Sequence, residues 1–210
     1  MEQEKMTRKL YYDVVIAGCG VAGLYTALSL PRDNKILMLS KEDLASCDSM
    51  LAQGGICVLR DESDFDAYFE DTMRAGHYEN RVESVELMIH ASRGIIEHLL
   101  ALGVRFEKNE DGSLAYTREG AHSRPRICFH KDITGEENTT TLLSHVRKLD
   151  NVTILEYTTM TDIIEENDTC VGIKAVSKDG ELLEIYAPDT VMATGGIGGL
   201  YRHSTNFSLL

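Results

Sequence analysis

Hydrophobic positions along this chain change period several times, and each change marks an element. Residues 11–17 (YYDVVIA) form a short β-branched run that ends at glycines, the pattern of a buried strand. Residues 21–30 (VAGLYTALSL) are apolar nearly all round, as in a helix packed against a sheet, and Pro31 ends the run. Residues 35–40 (KILMLS) read as a second strand, which completes a strand–helix–strand unit.

After Lys41 the rhythm breaks into a long loop that contains LAQGG at 51–55. Helical spacing returns over 64–75 and 81–102. The second of these has Asn80 as N-cap, Gly103 as stop, and Val85, Ile89, Ile96 and Leu99 on one face. Residues 104–130 read as irregular chain with short strands, 138–149 as a helix and 152–156 as a strand. Beyond Thr159 the period falls to two: 160–165, 170–177 and 181–187 are strands joined by turns at Glu166-Asn167-Asp168 and Asp179-Gly180. That is an antiparallel β-meander, and an apolar strand over 190–194 follows it. There is no internal repeat, low-complexity stretch or Gly/Ser linker, and three prolines argue against a flexible multidomain chain. The expected fold class is α/β: a Rossmann-like domain over 11–210, with a parallel sheet and an inserted meander, after a polar tail at 1–10.

Composition narrows the function. The chain is 43% hydrophobic and 26% charged, ordinary for a globular protein. A net charge of -13 argues against a nucleic-acid partner, and the densest basic stretch, 118–131, also carries Glu119. The five cysteines (Cys19, Cys47, Cys57, Cys128, Cys170) form no CxxC pair or zinc spacing, so they read as reduced thiols, with no metal site expected. The N-terminal MEQEKMTRKL lacks the apolar core of a signal peptide, and nothing later approaches a membrane span. A cytoplasmic location without a membrane partner is expected.

The chemistry concentrates at glycines. GCGVAG places Gly18, Gly20 and Gly23 in G-x-G-x-x-G spacing between the first strand and the first helix. There the first glycine makes a tight turn, the second admits a pyrophosphate and the third lets helix and strand pack closely. The helix N-terminus adds N–H donors and a positive dipole end. Cys19 fills a variable position. The acid that should meet the ribose is missing: Ser40 and Lys41 stand at the end of the second strand, with Glu42 and Asp43 beyond. Lys41 reads equally as a phosphate or adenosine contact and as a solvated loop lysine. Two further glycine approaches, AQGG and ATGG, favour one elongated ligand wrapped by backbone, which fits FAD better than NAD.

Taken together, GCGVAGL, the LSK after the second strand, AQGGI, TREGAHSRPRI and ATGG resemble the L-aspartate oxidase family, within the superfamily of succinate dehydrogenase and fumarate reductase flavoproteins. The resemblance covers nearly all of 11–206. It implies FAD held at the pyrophosphate by Gly18, Cys19, Gly20, Val21, Ala22 and Gly23, with Lys41 at a FAD-contacting position. It further implies that Asp48, Ser49, Met50, Leu51, Ala52, Gln53, Gly54 and Gly55 line the flavin side, and that Ala193, Thr194, Gly195 and Gly196 make a second close approach. Covalent members carry a histidine in H-T-x-A-A-x-G-G. This chain has Asp48 there, so a non-covalent flavin is expected.

TREGAHSRPRI gathers Arg118, Glu119, His122, Arg124 and Arg126. Arginine forks suit a dicarboxylate substrate, and a carboxylate favours a protonated amine over a bare dicarboxylate. The same residues could also be an ordinary charged loop whose members pair with each other. The resemblance puts Glu119 at the amine of L-aspartate and leaves His122 as a further catalytic candidate. It implies oxidation of L-aspartate to iminoaspartate in de novo NAD biosynthesis, with oxygen or fumarate as electron acceptor and quinolinate synthase consuming the product. It also implies a longer chain, whose capping and helical domains hold the remaining substrate residues, so that this piece binds FAD without a complete active site. A soluble fumarate reductase and a non-catalytic flavin-binding module are the alternatives.

Overall fold

The computed structural model describes residues 7–206; residues 1–6 of the expected tail and 207–210 at the end of the expected domain lie outside them. The chain divides into two compact units, Met1–Met50 with Leu142–Leu210, and Leu51–Thr141.

The first unit is built on two four-stranded sheets. Strands β1 (Arg8–Tyr11) and β2 (Val14–Ala17) precede α1 (Val21–Ser29) and β3 (Ile36–Leu39). β2 and β3 are buried at every position, which is why they read as unbroken apolar runs. The expectation of one strand over 11–17 becomes two, because Asp13 turns out of the ladder and its carboxylate accepts from the Lys35 backbone N–H at 2.6 Å.

Residues 8–10 of the expected tail belong to β1. They look polar because β1 is an edge strand with only Leu10 partly buried; Lys9 pairs with Glu184 at 3.3 Å, and Tyr11 stacks on Tyr186 at 5.5 Å.

Helix α2 (Asp48–Leu51) belongs to the first unit up to Met50, and the second unit, from Leu51, holds β4 (Ile56–Cys57), α3 (Phe65–Ala75), α4 (Val82–Ala101) and β5 (Ile127–Cys128). β4 and β5 pair antiparallel. Leu59, Tyr68, Met73, Val85 and Ile89 form its core. α4 starts at Val82 with Arg81 at the cap position and no side-chain cap bond, so the expected Asn80 cap is not made. Gly103 stops the helix with φ +93°, a conformation that suits glycine.

Helix α5 (Thr134–Val146) begins four residues before its expected start and spans the boundary in sequence. The first unit then resumes with β6 (Val152–Leu155), β7 (Thr158–Glu166), β8 (Thr169–Ser177), β9 (Leu182–Tyr186) and β10 (Asp189–Met192). The parallel sheet has the order β10-β2-β3-β6, and the expected meander β7-β8-β9 pairs antiparallel, with β1 added parallel to β9. Val15, Leu37 and Leu39 of the parallel sheet pack on Ile173, Ala175, Leu183 and Ile185 of the meander. This packing leaves the carboxyl ends of β2, β3 and β10 side by side.

Candidate functional site

A cavity of about 640 Å³ opens at those carboxyl ends, where open α/β sheets bind ligands. Gly18, Cys19, Gly20 and Ala22 line it from the β2–α1 turn, Ser40, Lys41 and Glu42 from the end of β3, and Asp48 and Ser49 from α2. Ala193, Thr194, Gly195 and Gly196 close it from the end of β10. Two stretches 170 residues apart in sequence, each singled out by its glycines, thus share one concave surface.

The glycines divide their tasks. Gly18 has φ +115°, and a Cβ there would sit 2.1 Å from the Ala193 carbonyl oxygen. Its close approach is therefore to the backbone after β10, which brings the two glycine stretches together. A Cβ on Gly23 would sit 2.1 Å from the Gly18 oxygen, so Gly23 sets the helix against the turn and does not line the cavity. Gly195 has φ +76° with no atom within 4 Å of a built Cβ, which leaves open space for a ligand.

Sequence reasoning missed the role of Ser49. Its Oγ accepts from the N–H of Val21, the first residue of α1, at 3.1 Å. Ala22 and Gly23, also in the first turn, have no partner four residues back within the helix, so their donors suit an anion. No local signal marks Ser49, because it caps α1 from 28 residues away.

The side of the cavity expected to hold a ribose acid contains Glu42 and not Asp43. Asp43 accepts from the Ala45 and Ser46 backbones and the Ser46 hydroxyl, and that hydroxyl bond leads in holding its carboxyl below the ordinary range. Cys19 is buried, its thiol reaches the Leu39 carbonyl at 3.4 Å, and desolvation pushes it up to about 12. It is a small packed residue, not a nucleophile. Asp48 accepts from the Asn206 side chain at 2.5 Å.

Positions 51–55 lie in the second unit. Leu51, Ala52, Gln53 and Gly54 are exposed, with Gln53 donating to Asp132 at 3.0 Å and the Ala52 carbonyl accepting from the Gly135 N–H at 2.8 Å. A Cβ on Gly55 would meet the Cys128 carbonyl at 2.2 Å, so that glycine permits the β4–β5 ladder, while Gly54 faces open space.

The charged loop between Thr117 and Ile127 separates its members. Glu119 and Arg118 are exposed, and the Glu119 carbonyl accepts from the His122 N–H at 3.3 Å. Arg126 is fully buried: Nε and Nη2 donate to the two oxygens of Asp64 at 2.9 Å, and Nη1 to Asp71 at 2.7 Å. Arg124 lies 3.5 Å from Asp64. Arg126 is thus a structural cation and not a fork for substrate, and its carboxylate partners sit on α3 and just before it rather than within the loop. Burial pushes the Asp71 carboxyl up, but the combined hydrogen bonds of Ser123 and Arg126 hold it well below the usual carboxylate range. His122 lines a second cavity, within this unit. Among the described residues no group of three or more His, Cys, Asp or Glu could hold a metal ion, and no helix is long and apolar enough to cross a membrane.

Comparison with known proteins gives a consistent relationship. The family described as FAD binding domain matches residues 13–209. The chain is 47% identical over 194 residues to the L-aspartate oxidase of Clostridium perfringens and 45% identical to that of Clostridium acetobutylicum, covering 92% of this chain in both. It spans 44% of the length of each of these relatives. Among solved structures, the E. coli quinol fumarate reductase superposes with a TM-score of 0.89 at 27% identity, covering 94% of this chain and 34% of that one.

Proposed function

This chain belongs to the FAD binding domain family, and from that premise we propose that it is the cofactor-binding part of an L-aspartate oxidase. The observation that carries the cofactor reading is the cavity at the carboxyl ends of β2, β3 and β10, with the glycine fingerprint at its mouth. The residues fit the group: an unblocked space at Gly195, first-turn amides of α1 toward a pyrophosphate, and Glu42 toward the ribose side. Identity near one half to two L-aspartate oxidases, against 27% to the fumarate reductase, supports the substrate reading over the alternatives.

Bound FAD would supply the hydride acceptor for oxidation of L-aspartate at Cα to iminoaspartate, with oxygen or fumarate as the final electron acceptor. The protein's part is orientation and charge. Gly18, Cys19, Gly20 and Ala22 present backbone to the pyrophosphate, Val21 and Gly23 set the helix behind them, and Ala193, Thr194, Gly195 and Gly196 present backbone from the other side. Lys41 and the run from Asp48 to Met50 complete the cofactor contacts of the first unit. Glu119 supplies the negative charge that selects the substrate's ammonium group. Its exposure leaves it accessible to a ligand. In this reading the product is the unstable imine that quinolinate synthase consumes.

Asp48 occupies the position where covalent members carry histidine. Acid denaturation of the loaded protein is expected to release all flavin into the supernatant; flavin retained on the precipitated chain contradicts a non-covalent site. Glu119→Gln, made in the full-length enzyme, is expected to lower kcat/KM for L-aspartate by roughly 10- to 100-fold, the size of a lost hydrogen bond to a charged group. Turnover of succinate or fumarate should hold or rise. An equal loss on all three substrates sinks the role of Glu119 and favours the fumarate reductase reading.

A further inference from the structure

A guanidinium has five N–H donors and no acceptor, so a ring nitrogen in hydrogen bond with it must be the accepting one. Arg126 has four of those donors committed: two to Asp64, one to Asp71, and one from Nη1 to Nδ1 of His122 at 3.2 Å. Nδ1 of His122 is therefore unprotonated, and the ring proton sits on Nε2. Nε2 lies 3.3 Å from Sγ of Cys57, and both residues line a cavity of about 690 Å³ in the second unit, together with Tyr68, Asn80 and Met88. Sulfur is a weak acceptor, so an oxygen that reaches this N–H displaces the thiol.

We propose that Arg126 is a positioning residue that fixes His122 as a neutral imidazole with its proton on Nε2, a hydrogen-bond donor and not a base. Asp64 and Asp71 hold the guanidinium in place, and it lies over the Tyr68 ring at 5.1 Å from the centroid. In the L-aspartate reading above, on which this part rests, His122 donates to a carboxylate oxygen of the substrate and takes no proton from it, because Nε2 is already protonated and Nδ1 is engaged. The tautomer itself does not depend on that reading.

The surroundings agree on the charge state. Facing the ring are Arg126 and Glu119 from its own loop, Asp64 and Asp71 at and along α3, Cys57 from β4 and the edge of the Tyr68 ring at 6.3 Å. Burial, then the Arg126 charge, pushes the His122 imidazole below its usual range, against the pull of Asp71, Asp64 and Glu119. Burial also pushes the Cys57 thiol up, so it is no thiolate partner for an imidazolium.

The test is nitrogen-15 NMR of the His122 ring in this chain, titrated across neutral pH. The expected spectrum has a protonated Nε2, an unprotonated Nδ1 and a midpoint below that of an ordinary histidine. A proton on Nδ1, or a cationic ring at pH 7, overturns the proposal. In the uncharged combination Asp64→Asn, Asp71→Asn, Arg126→Gln the ring should lose its single tautomer; an unchanged ring also overturns the proposal. The wild-type spectrum decides alone if that variant does not fold. A locked Nε2–H ring in a protein that fails to oxidise L-aspartate would refute the functional reading and leave this one intact.

Discussion

Gly18→Ala destabilises the first unit by about 2–5 kcal/mol and weakens cofactor binding at least tenfold. Two costs add. An L-residue held at the φ of +115° that Gly18 adopts costs on the order of 1–2 kcal/mol. A Cβ 2.1 Å from the Ala193 carbonyl forces backbone apart, and overpacking of that kind costs roughly 1–3 kcal/mol. The displaced backbone is the stretch that leads into Ala193, Thr194, Gly195 and Gly196, so the cavity loses its shape along with its stability. Denaturant unfolding and a flavin titration on the same variant measure both effects. Gly94→Ala is the control: Gly94 lies inside α4 with nothing within 4 Å of a built Cβ, and alanine there should stabilise by up to about 1 kcal/mol. Equal behaviour of the two variants would mean that the glycine turn carries no special constraint.

Arg126→Met unfolds the second unit at neutral pH or costs it about 3–5 kcal/mol, the penalty for leaving buried carboxylates without their partner. The side chains of Asp64 and Asp71 are 5% and 3% exposed, so water cannot take over the role of the guanidinium. The pH dependence gives the sign. In the native chain the Asp71 carboxyl is held below its unfolded value, so its contribution is present above the ordinary carboxylate range and is lost as pH falls through the folded value. In Arg126→Met the Arg126 share of that support is gone while the bonds from Ser123 and Arg74 to Asp71 remain, and protonation relieves the charge that Arg126 leaves uncompensated. The gap between wild type and variant should therefore narrow on acidification below about pH 4. Urea midpoints across pH check it; a gap that is constant or widens in acid contradicts the account.

The parts of the fold that could be read from sequence are those whose signal is local. β2, α1 and β3 carry apolar runs punctuated by Gly18 and Pro31, and the meander carries its alternation and its Asn167-Asp168 and Gly180 turns. β1 escaped because an edge strand with exposed Arg8 and Lys9 has no apolar signature. The site divides in the same way. GCGVAG and ATGG were visible as glycine clusters, but only the folded sheet brings Gly18 against Ala193. Arg126 looked like a substrate fork because its partners, Asp64 and Asp71, are 62 and 55 residues away and belong to a helical pattern that gives no hint of them. Ser49 likewise caps a helix it does not precede. Gly55, which reads as a ligand approach, owes its lack of a side chain at least equally to the Cys128 carbonyl.

Thermal unfolding of this chain with added FAD, and separately with NAD, tests the central claim most directly. A ligand that binds only the folded state raises the midpoint with its concentration and affinity. The account predicts a concentration-dependent rise with FAD and none with NAD, and loss of that rise in Gly18→Ala. A rise with NAD and none with FAD would contradict it.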